Sequence, residues 1–447
     1  MNARPLTARR FGIGAVAAVS VALILTACSV TPKSKKNAAP PAGATVSTVV
    51  PADKVTLKLA FTTSEDMTNA LVKAFETKYP QVTIQPQFTQ FSDYVKSLKL
   101  TMSSSNAPDL AEYNPALKDL SAAGLIADLT PYEKAYNWDS AFPKSALDEL
   151  RVDKTGKILG TGSLVGVPGG LSLVGVYYNK QMLAKAGVSA PPTTLEEFGT
   201  DLAKAKQAGL TPLSVGALDN GALHLWSAIL NVTSDVTQLR SWIDGQPGGT
   251  ITTDGALQAT SAIADYAKKG YFPKSATGTS ENDARATFSK GGSVFQVDGN
   301  WAASDLDKAM KDNVGFFLVP PAQAGGRSVG NGFSVNFSMS GKTKHPAAAA
   351  AFLDFLRSPE ASKIATESGF LSPNPAVAPA TTGVKQYLTE ANKQVGADDG
   401  VIPFPDFAAP AMLDSLQAGL QSLIAGRMEP QAFLDSLQKV WTAYHGS

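Results

Sequence analysis

An α/β protein of two or three structural units is what this sequence predicts, and three observations predict it. Period-two apolar runs and helix-spaced apolar runs succeed one another from residue 53 onward, beginning with Val55 to Phe61 and with Met67, Leu71, Val72, Phe75 and Tyr79. Apolar residues make up 44% and charged residues 17% of the chain, a balance that buries a core and sets aside wholesale disorder, collagen and coiled coil. At 447 residues the chain exceeds what one hydrophobic core usually covers.

The first segment is not part of that body. Arg4, Arg9 and Arg10 precede an unbroken run of apolar and small residues from Phe11 to Ala27, the order of a bacterial secretion signal. The run ends in Leu25-Thr26-Ala27-Cys28, which resembles the lipobox of bacterial lipoproteins. Cleavage before Cys28, the only cysteine of the chain, makes it the lipid-bearing first residue of the mature protein. With no other thiol no internal disulfide forms, so stability comes from packing. Residues 28–52, with Pro32, Lys33, Lys35, Lys36, Pro40, Pro41 and Gly43, read as a flexible tether. No later run approaches the roughly eighteen apolar residues of a spanning helix.

The body opens with the strand Val55 to Phe61 and a helix that starts beside Ser64, Glu65 and Asp66 and stops at Pro80. Val82, Ile84 and Phe88 mark a second strand; Phe91, Tyr94, Val95, Leu98 and Met102 mark a second helix. This alternation implies a mainly parallel sheet with helices on its faces, and ligand chemistry in the loops after the strands, Thr62 to Asp66 and Asp109 to Asn114. A Gly-rich stretch from Lys157 to Val167 leads to a strand at Val174 to Tyr178, then to a helix from Leu195 to Gln207. Further helices are predicted at Asp254 to Lys269, Pro346 to Leu356, Ala411 to Ile424 and Pro430 to Trp441, two of them with proline in the first turn, where its missing N–H costs nothing.

Lys plus Arg is 39 against 38 for Asp plus Glu; without the three arginines of residues 1–27, 36 basic residues face 38 acidic ones, and nothing suggests a nucleic-acid partner. The three histidines, His224, His345 and His445, have no metal-ligand spacing, and no Gly-x-Ser-x-Gly elbow occurs. No metal and no cofactor is expected.

Several segments in order carry a resemblance. They are Phe75-Glu76-Thr77-Lys78-Tyr79-Pro80-Gln81-Val82, Ala107-Pro108-Asp109-Leu110, Tyr177-Tyr178-Asn179-Lys180 with Ala186-Gly187, and Pro191 to Phe198. Phe288-Ser289-Lys290-Gly291, Val297-Asp298-Gly299-Asn300-Trp301, Gly325-Gly326, Gly330-Asn331-Gly332 and the helix from Ala347 follow. From Val55 to Trp441 the chain resembles the extracellular solute-binding proteins of ABC importers, family 1, the class of the maltose-binding protein and other sugar receptors. It departs from many relatives at Thr194-Leu195 and Val294-Phe295, which read as packing changes.

The resemblance implies a two-lobe, periplasmic-binding-protein-like (type II) clamshell whose discontinuous lobes are joined by three hinge crossings. By position these fall near residues 170–175, near 332–336 and between 377 and 388. The expected limits are 1–27 for the signal peptide, 28–52 for the tether, 53–171 with 333–380 for the N-terminal lobe, and 172–332 with 381–447 for the C-terminal lobe.

A sugar offers an apolar C–H face and a rim of hydroxyls, so its receptor needs flat aromatic rings and Asp, Glu, Asn or Gln at their edges. Trp301 matches the family position whose Trp stacks on sugar; otherwise it is a core residue. Tyr113 matches another aromatic platform, or packs under its loop. Glu65 and Asp66 bridge hydroxyls or serve the helix N-terminus. By the same resemblance Asp219 accepts from hydroxyls, while Trp226 is core and His224 leans structural. Asn300 and Asn331, beside glycines, approach ligand or are turn residues. Phe407 lends a last aromatic to the cleft or anchors the following helix.

The function implied is capture of a sugar or oligosaccharide and its delivery to ABC permease subunits. The expected protein is a monomer, exported and held by lipid at Cys28 on the outer face of the cell membrane. Rivals are a surface glycoside hydrolase, a receptor that signals to a sensor, and a receptor for polyamine, peptide or Fe(III), the last suggested by Tyr177-Tyr178.

Overall fold

The computed structural model describes residues 46–112, 117–327, 329–372, 382–396 and 400–446. The expectations for the signal segment, Cys28, most of the tether and Tyr113 fall outside these residues.

The strands are β1 Val55–Phe61, β2 Val82–Phe88, β3 Leu110–Glu112, β4 Arg151–Val152, β5 Ser163–Leu164, β6 Val167–Leu171, β7 Val174–Asn179, β8 Leu213–Ser214, β9 Phe295–Gly299, β10 Val314–Phe317, β11 Gly330–Asn331, β12 Ser334–Met339 and β13 Val401–Ile402. One sheet has the order β2-β1-β3-β12-β6; the other runs β13-β11-β7-β9-β8, with β10 also paired to β7. β4 and β5 make a separate hairpin.

β1 alternates buried and exposed residues only as far as Leu59; Ala60 and Phe61 are both buried, because there the strand is flanked by β2 and by β3 and covered by helices. The helix Glu65–Lys78 starts where the Ser64 hydroxyl accepts the Met67 N–H at 3.2 Å, and it lays Met67, Leu71, Val72 and Phe75 on the sheet. Phe75 meets Phe352 of the helix Pro346–Phe355 edge-on at 5.3 Å.

The expectation of mainly parallel sheets holds in part. β1 is parallel to β2 and β3, and β8 to β9, but β12 is antiparallel to β3 and β6, and β7 is antiparallel to β9, β10 and β11. The physical reason is topological. β7 and β12 each arrive directly from the other sheet, so they enter from the end at which the βα units finish.

Those two entries are short. Ser172-Leu173 joins β6 to β7, and Gly332-Phe333 joins β11 to β12. The two connections are bonded to each other: the Ser172 N–H and hydroxyl donate to Phe333 O at 2.9 and 2.6 Å, and the Phe333 N–H donates to Ser172 Oγ at 2.9 Å. A Cβ on Gly332 would collide with Ser172 O, so only glycine lets the paired connections lie this close. A third passage follows Leu371, which bridges to Leu171, and reaches the helix Lys385–Gly396 through residues outside those described. The architecture is thus two α/β lobes, each built from discontinuous stretches of chain.

The second sheet is covered by the helix Gly221–Thr233, buried along nearly its whole length. Trp226 on this helix donates to Thr260 Oγ1 at 2.9 Å and meets Phe433 edge-on, the core role the sequence suggested.

Candidate functional site

The carboxyl ends of the strands of both sheets carry the residues of interest. On the first sheet Phe61 and Phe88 pair at 5.5 Å, and Phe88 remains 36% exposed. Glu112, at the end of β3, orders the loop after β1: it accepts the N–H groups of Thr62 and Thr63 at 3.3 and 3.2 Å and the Thr63 hydroxyl. Burial pushes its carboxyl up, against the pull of those three donors. Glu65 and Asp66 occupy the first helical turn beyond this loop and are exposed.

On the second sheet, β9 ends in Asp298-Gly299 and the chain turns through Asn300–Ala302. Trp301 is half-buried there. The edge of its indole occupies the place where a Cβ on Gly299 would stand, so glycine at that position is a condition of the ring's placement. Its other aromatic neighbours are His224 at 5.2 Å and Phe404 at 6.3 Å between centroids.

His224 joins the ring to a buried polar network. Arg285 takes both oxygens of Asp298, Nε to Oδ2 at 2.7 Å and Nη2 to Oδ1 at 2.9 Å, a fork that fixes both planes. One turn earlier on the same helix, Glu281–Ser289, the Glu281 carboxylate meets His224 Nδ1 at 2.6 Å. Burial alone pulls the His224 imidazole down, but the facing Glu281 charge and hydrogen bond outweigh it and hold it above its ordinary value. Burial raises Asp298 to about 6 although Arg285 pulls it down, and Asp406 is raised by burial to about 6 as well.

The other sequence-predicted residues are placed as follows. Asp219 is half-buried and its Oδ1 accepts the Glu281 N–H at 2.7 Å, so it anchors the start of the Glu281–Ser289 helix. Asn300 is fully buried, with Oδ1 accepting the Leu173 N–H at 3.1 Å and Nδ2 donating to Leu171 O at 3.0 Å; its amide clamps the first connection. Asn331 accepts from Ser227 Oγ at 2.9 Å and donates to Ile402 O at 3.2 Å, tying β11 to its neighbours. Phe407 is buried against Phe333 at 4.4 Å, the anchoring role. Tyr177, half of the tyrosine pair, is fully buried and donates its hydroxyl to Gly299 O at 3.0 Å. The structure therefore gathers Trp301, Asp219 and Asn300 around β9, and puts Glu65 and Asp66 on the other lobe.

Sequence reasoning passed over Phe404, Glu281, Arg285 and Glu112. For Arg285 a signal existed: it stands four residues after Glu281, on the same helix face. Glu112 and Phe404 had none in the spacing.

The lobes also touch directly. Lys308 meets Asp66 at 3.1 Å, Ser304 Oγ donates to Ser368 O at 3.1 Å, and Lys118 Nζ, almost wholly buried, donates to Ile243 O and Ala408 O at 3.3 and 3.1 Å. Beside the first two contacts is a cavity of about 420 Å³ lined by Asp66, Ser304, Asp307, Lys308, Glu367 and Lys385 among others. Its walls are charged in both signs and carry no aromatic ring. Among the described residues no cluster of His, Cys, Asp and Glu is arranged to hold a metal ion, and no helix is long and apolar enough to cross a membrane.

Residues 70–392 match the model of a bacterial extracellular solute-binding protein. The multiple sugar-binding protein of Streptococcus mutans is 25% identical over 320 residues, 68% of this chain and 71% of the relative. Among solved structures, a chitin oligosaccharide binding protein superposes with a TM-score of 0.75 at 24% identity, over 88% of this chain and 100% of that one. The GacH receptor of Streptomyces glaucescens, solved unliganded and with acarbose, gives 0.72 at 21% identity, over 87% and 98%. These likenesses show the type II two-lobe fold, and the family match covers well over half of the chain. The chain belongs to the bacterial extracellular solute-binding proteins, as a receptor and not an enzyme.

Proposed function

We propose that this receptor captures a sugar or oligosaccharide between its lobes and hands it to the transmembrane subunits of an ABC importer. The observation that carries the reading is Trp301: a half-buried indole at the carboxyl end of β9, propped by Gly299, His224 and Phe404. A ring held in this way, with acids across the cleft at Glu65 and Asp66, suits a ligand with an apolar face and a hydroxyl rim. The sugar-binding relative and the oligosaccharide-binding neighbours support the same class. In this reading Trp301, Tyr113, Glu65 and Asp66 meet the ligand, while Asp219, Asn300, Asn331 and Phe407 hold the loops that carry the site. The lobes are 53–171 with 333–380 and 172–332 with 381–447, a division supported by the two-residue connections Ser172-Leu173 and Gly332-Phe333. Tyr177, donating internally to Gly299 O, speaks against Fe(III) as the cargo.

The mechanism is population shift. Ligand seated on one lobe gains contacts to the other only when the cleft closes, and that differential affinity moves the equilibrium toward the form the permease reads.

A thermal-shift screen against mono- and oligosaccharides tests the class, since a ligand at a hundred times its Kd adds about 2.7 kcal/mol. Trp301→Ala is expected to weaken binding of the responding sugar about tenfold in calorimetric titration, with the unfolding midpoint little changed. Unchanged affinity with lowered stability would return Trp301 to the core.

Export and anchoring complete the reading: Cys28 carries lipid, residues 28–52 are the tether, and the body works as a monomer outside the cell membrane. The full-length protein is expected to enter the detergent phase on partition, and Cys28→Ala to stay in the aqueous phase. A variant that still partitions with detergent contradicts the anchor.

A further inference from the structure

Six ionisable groups from five elements form one network that reaches Trp301 through His224. His224 comes from the helix Gly221–Thr233, Glu281 and Arg285 from Glu281–Ser289, Asp298 from β9, Asp406 from the turn Pro405–Ala408, and Asp219 from the loop after β8. Their pairing is uneven. Arg285 gives its fork to Asp298, so the buried Glu281 carboxylate has the His224 ring as its hydrogen-bonded cation partner. Glu281 also feels the Arg285 charge and a hydrogen bond with Asp298, so its 2.6 Å contact with His224 belongs to one shared network. The facing Glu281 charge and hydrogen bond favour the imidazolium against burial, and the ring that carries it lies 5.2 Å from the indole centroid, tilted by 55°, within cation–π distance.

We propose that His224 is a positioning residue for ligand capture: paired with Glu281, it holds the Trp301 ring at its tilt and places a positive charge beside it, so affinity depends on a side chain that does not meet the ligand. The pair is coupled to the neighbouring loops. The helix carrying Glu281 is anchored by Asp219, and the strand end carrying Trp301 by Asp298, so the loop after β8 and the loop after β9 are set by one network. Phe404, 5.8 Å from the His224 ring, joins the segment before Asp406 to the same support.

This inference rests on Trp301 being the ligand platform, and its test separates the two. The first arm needs no ligand. A protonated imidazole in contact quenches indole emission, so the Trp301 contribution, taken as the difference between the parent and Trp301→Phe, is expected to rise as pH climbs from 6 to 9. It should be flat in His224→Gln, and its midpoint should move to lower pH in Glu281→Gln, where the partner charge is gone. The second arm titrates raffinose, acarbose and a chitin oligosaccharide as probes. Parent affinity is expected to fall across the same pH range, and His224→Gln to lose about fivefold at pH 6 and to bind independently of pH.

Emission that does not titrate in the parent, or titrates unchanged in His224→Gln, overturns the imidazolium and with it the proposal. A normal emission titration together with a pH-independent affinity of the parent for a bound probe overturns the role in capture. Failure of all three probes to bind counts against the sugar reading, and the emission arm then decides the His224 pairing alone. If His224→Gln does not fold, Glu281→Gln carries both arms.

Discussion

Arg285→Met is expected to lower the stability of the protein by about 3–5 kcal/mol, the cost of leaving a buried charge without its partner. Asp298 is fully buried and both of its oxygens accept from Arg285, while Oδ1 also accepts the Gly299 N–H at 2.8 Å. Taking the guanidinium away leaves Asp298 to protonate or to draw in water, and removes the cation that lies next to Glu281. The loss is specific to the broken pair. Arg285→Met combined with Asp298→Leu replaces both charges by apolar volume and should recover a large part of it, because neither member is then left unpaired. Denaturant midpoints of the parent, the two single variants and the double variant measure this. A single Arg285→Met variant within about 1 kcal/mol of the parent would mean that water or neighbouring groups already satisfy Asp298.

How far these features were legible in the sequence depends on the range of the interaction behind each. The strand Val55–Phe61, the helix Glu65–Lys78 with its Ser64 cap and the helix Leu195–Gln207 were readable because spacing and capping are local. The direction of β7 and β12 was not, since it follows from strands that change sheets, a property of the whole chain path. Trp301 was singled out through its neighbours Asp298, Gly299 and Asn300, a local motif that resembles the family's. The partners of that motif were not found. Glu281 and His224 lie 57 residues apart and Arg285 and Asp298 lie 13 apart, and no spacing rule links a helix residue to the end of a strand beside it. Asn300 and Asn331 show the converse: glycine neighbours suggested ligand approach, but the same short amides serve to bond backbone at the connections between lobes.

The paired connections explain why such amides are placed there. Ser172 and Phe333 exchange hydrogen bonds, and Asn300 bonds Leu171 and Leu173 on either side of Ser172. The backbone groups that change sheets are thereby satisfied without a regular ladder. Trp301, next in sequence to Asn300, is placed by the same bonds.

The stability of this protein is expected to be higher near pH 5 than near pH 7.5, by enough to move the unfolding midpoint by at least about 5 °C. Burial raises Asp244, Asp298 and Asp406 to about 6 and Glu149 to about 7 and also lifts Glu112, while His224 is held up by Glu281 despite its burial. Each of these groups holds its proton more tightly folded than unfolded. Between about pH 4 and 7 the native state therefore binds more protons than the unfolded chain, and stability falls as pH rises through that window. Below it the sign reverses: Asp153 and Glu281 are lowered in the fold, and what they contribute is lost as they protonate. Above it Lys118 takes over. Burial between the lobes pulls its amine down to about 7, so from pH 7 toward 10 the unfolded state holds the extra proton and stability recovers. Calorimetric scans from pH 4.5 to 9.5 should show a trough near neutrality, and Lys118→Met should remove only its alkaline rise. A midpoint that climbs steadily from pH 5 to 7.5 would mean that the buried carboxyl groups are ionised and paired in the fold, and that the network beside Trp301 carries its charge differently.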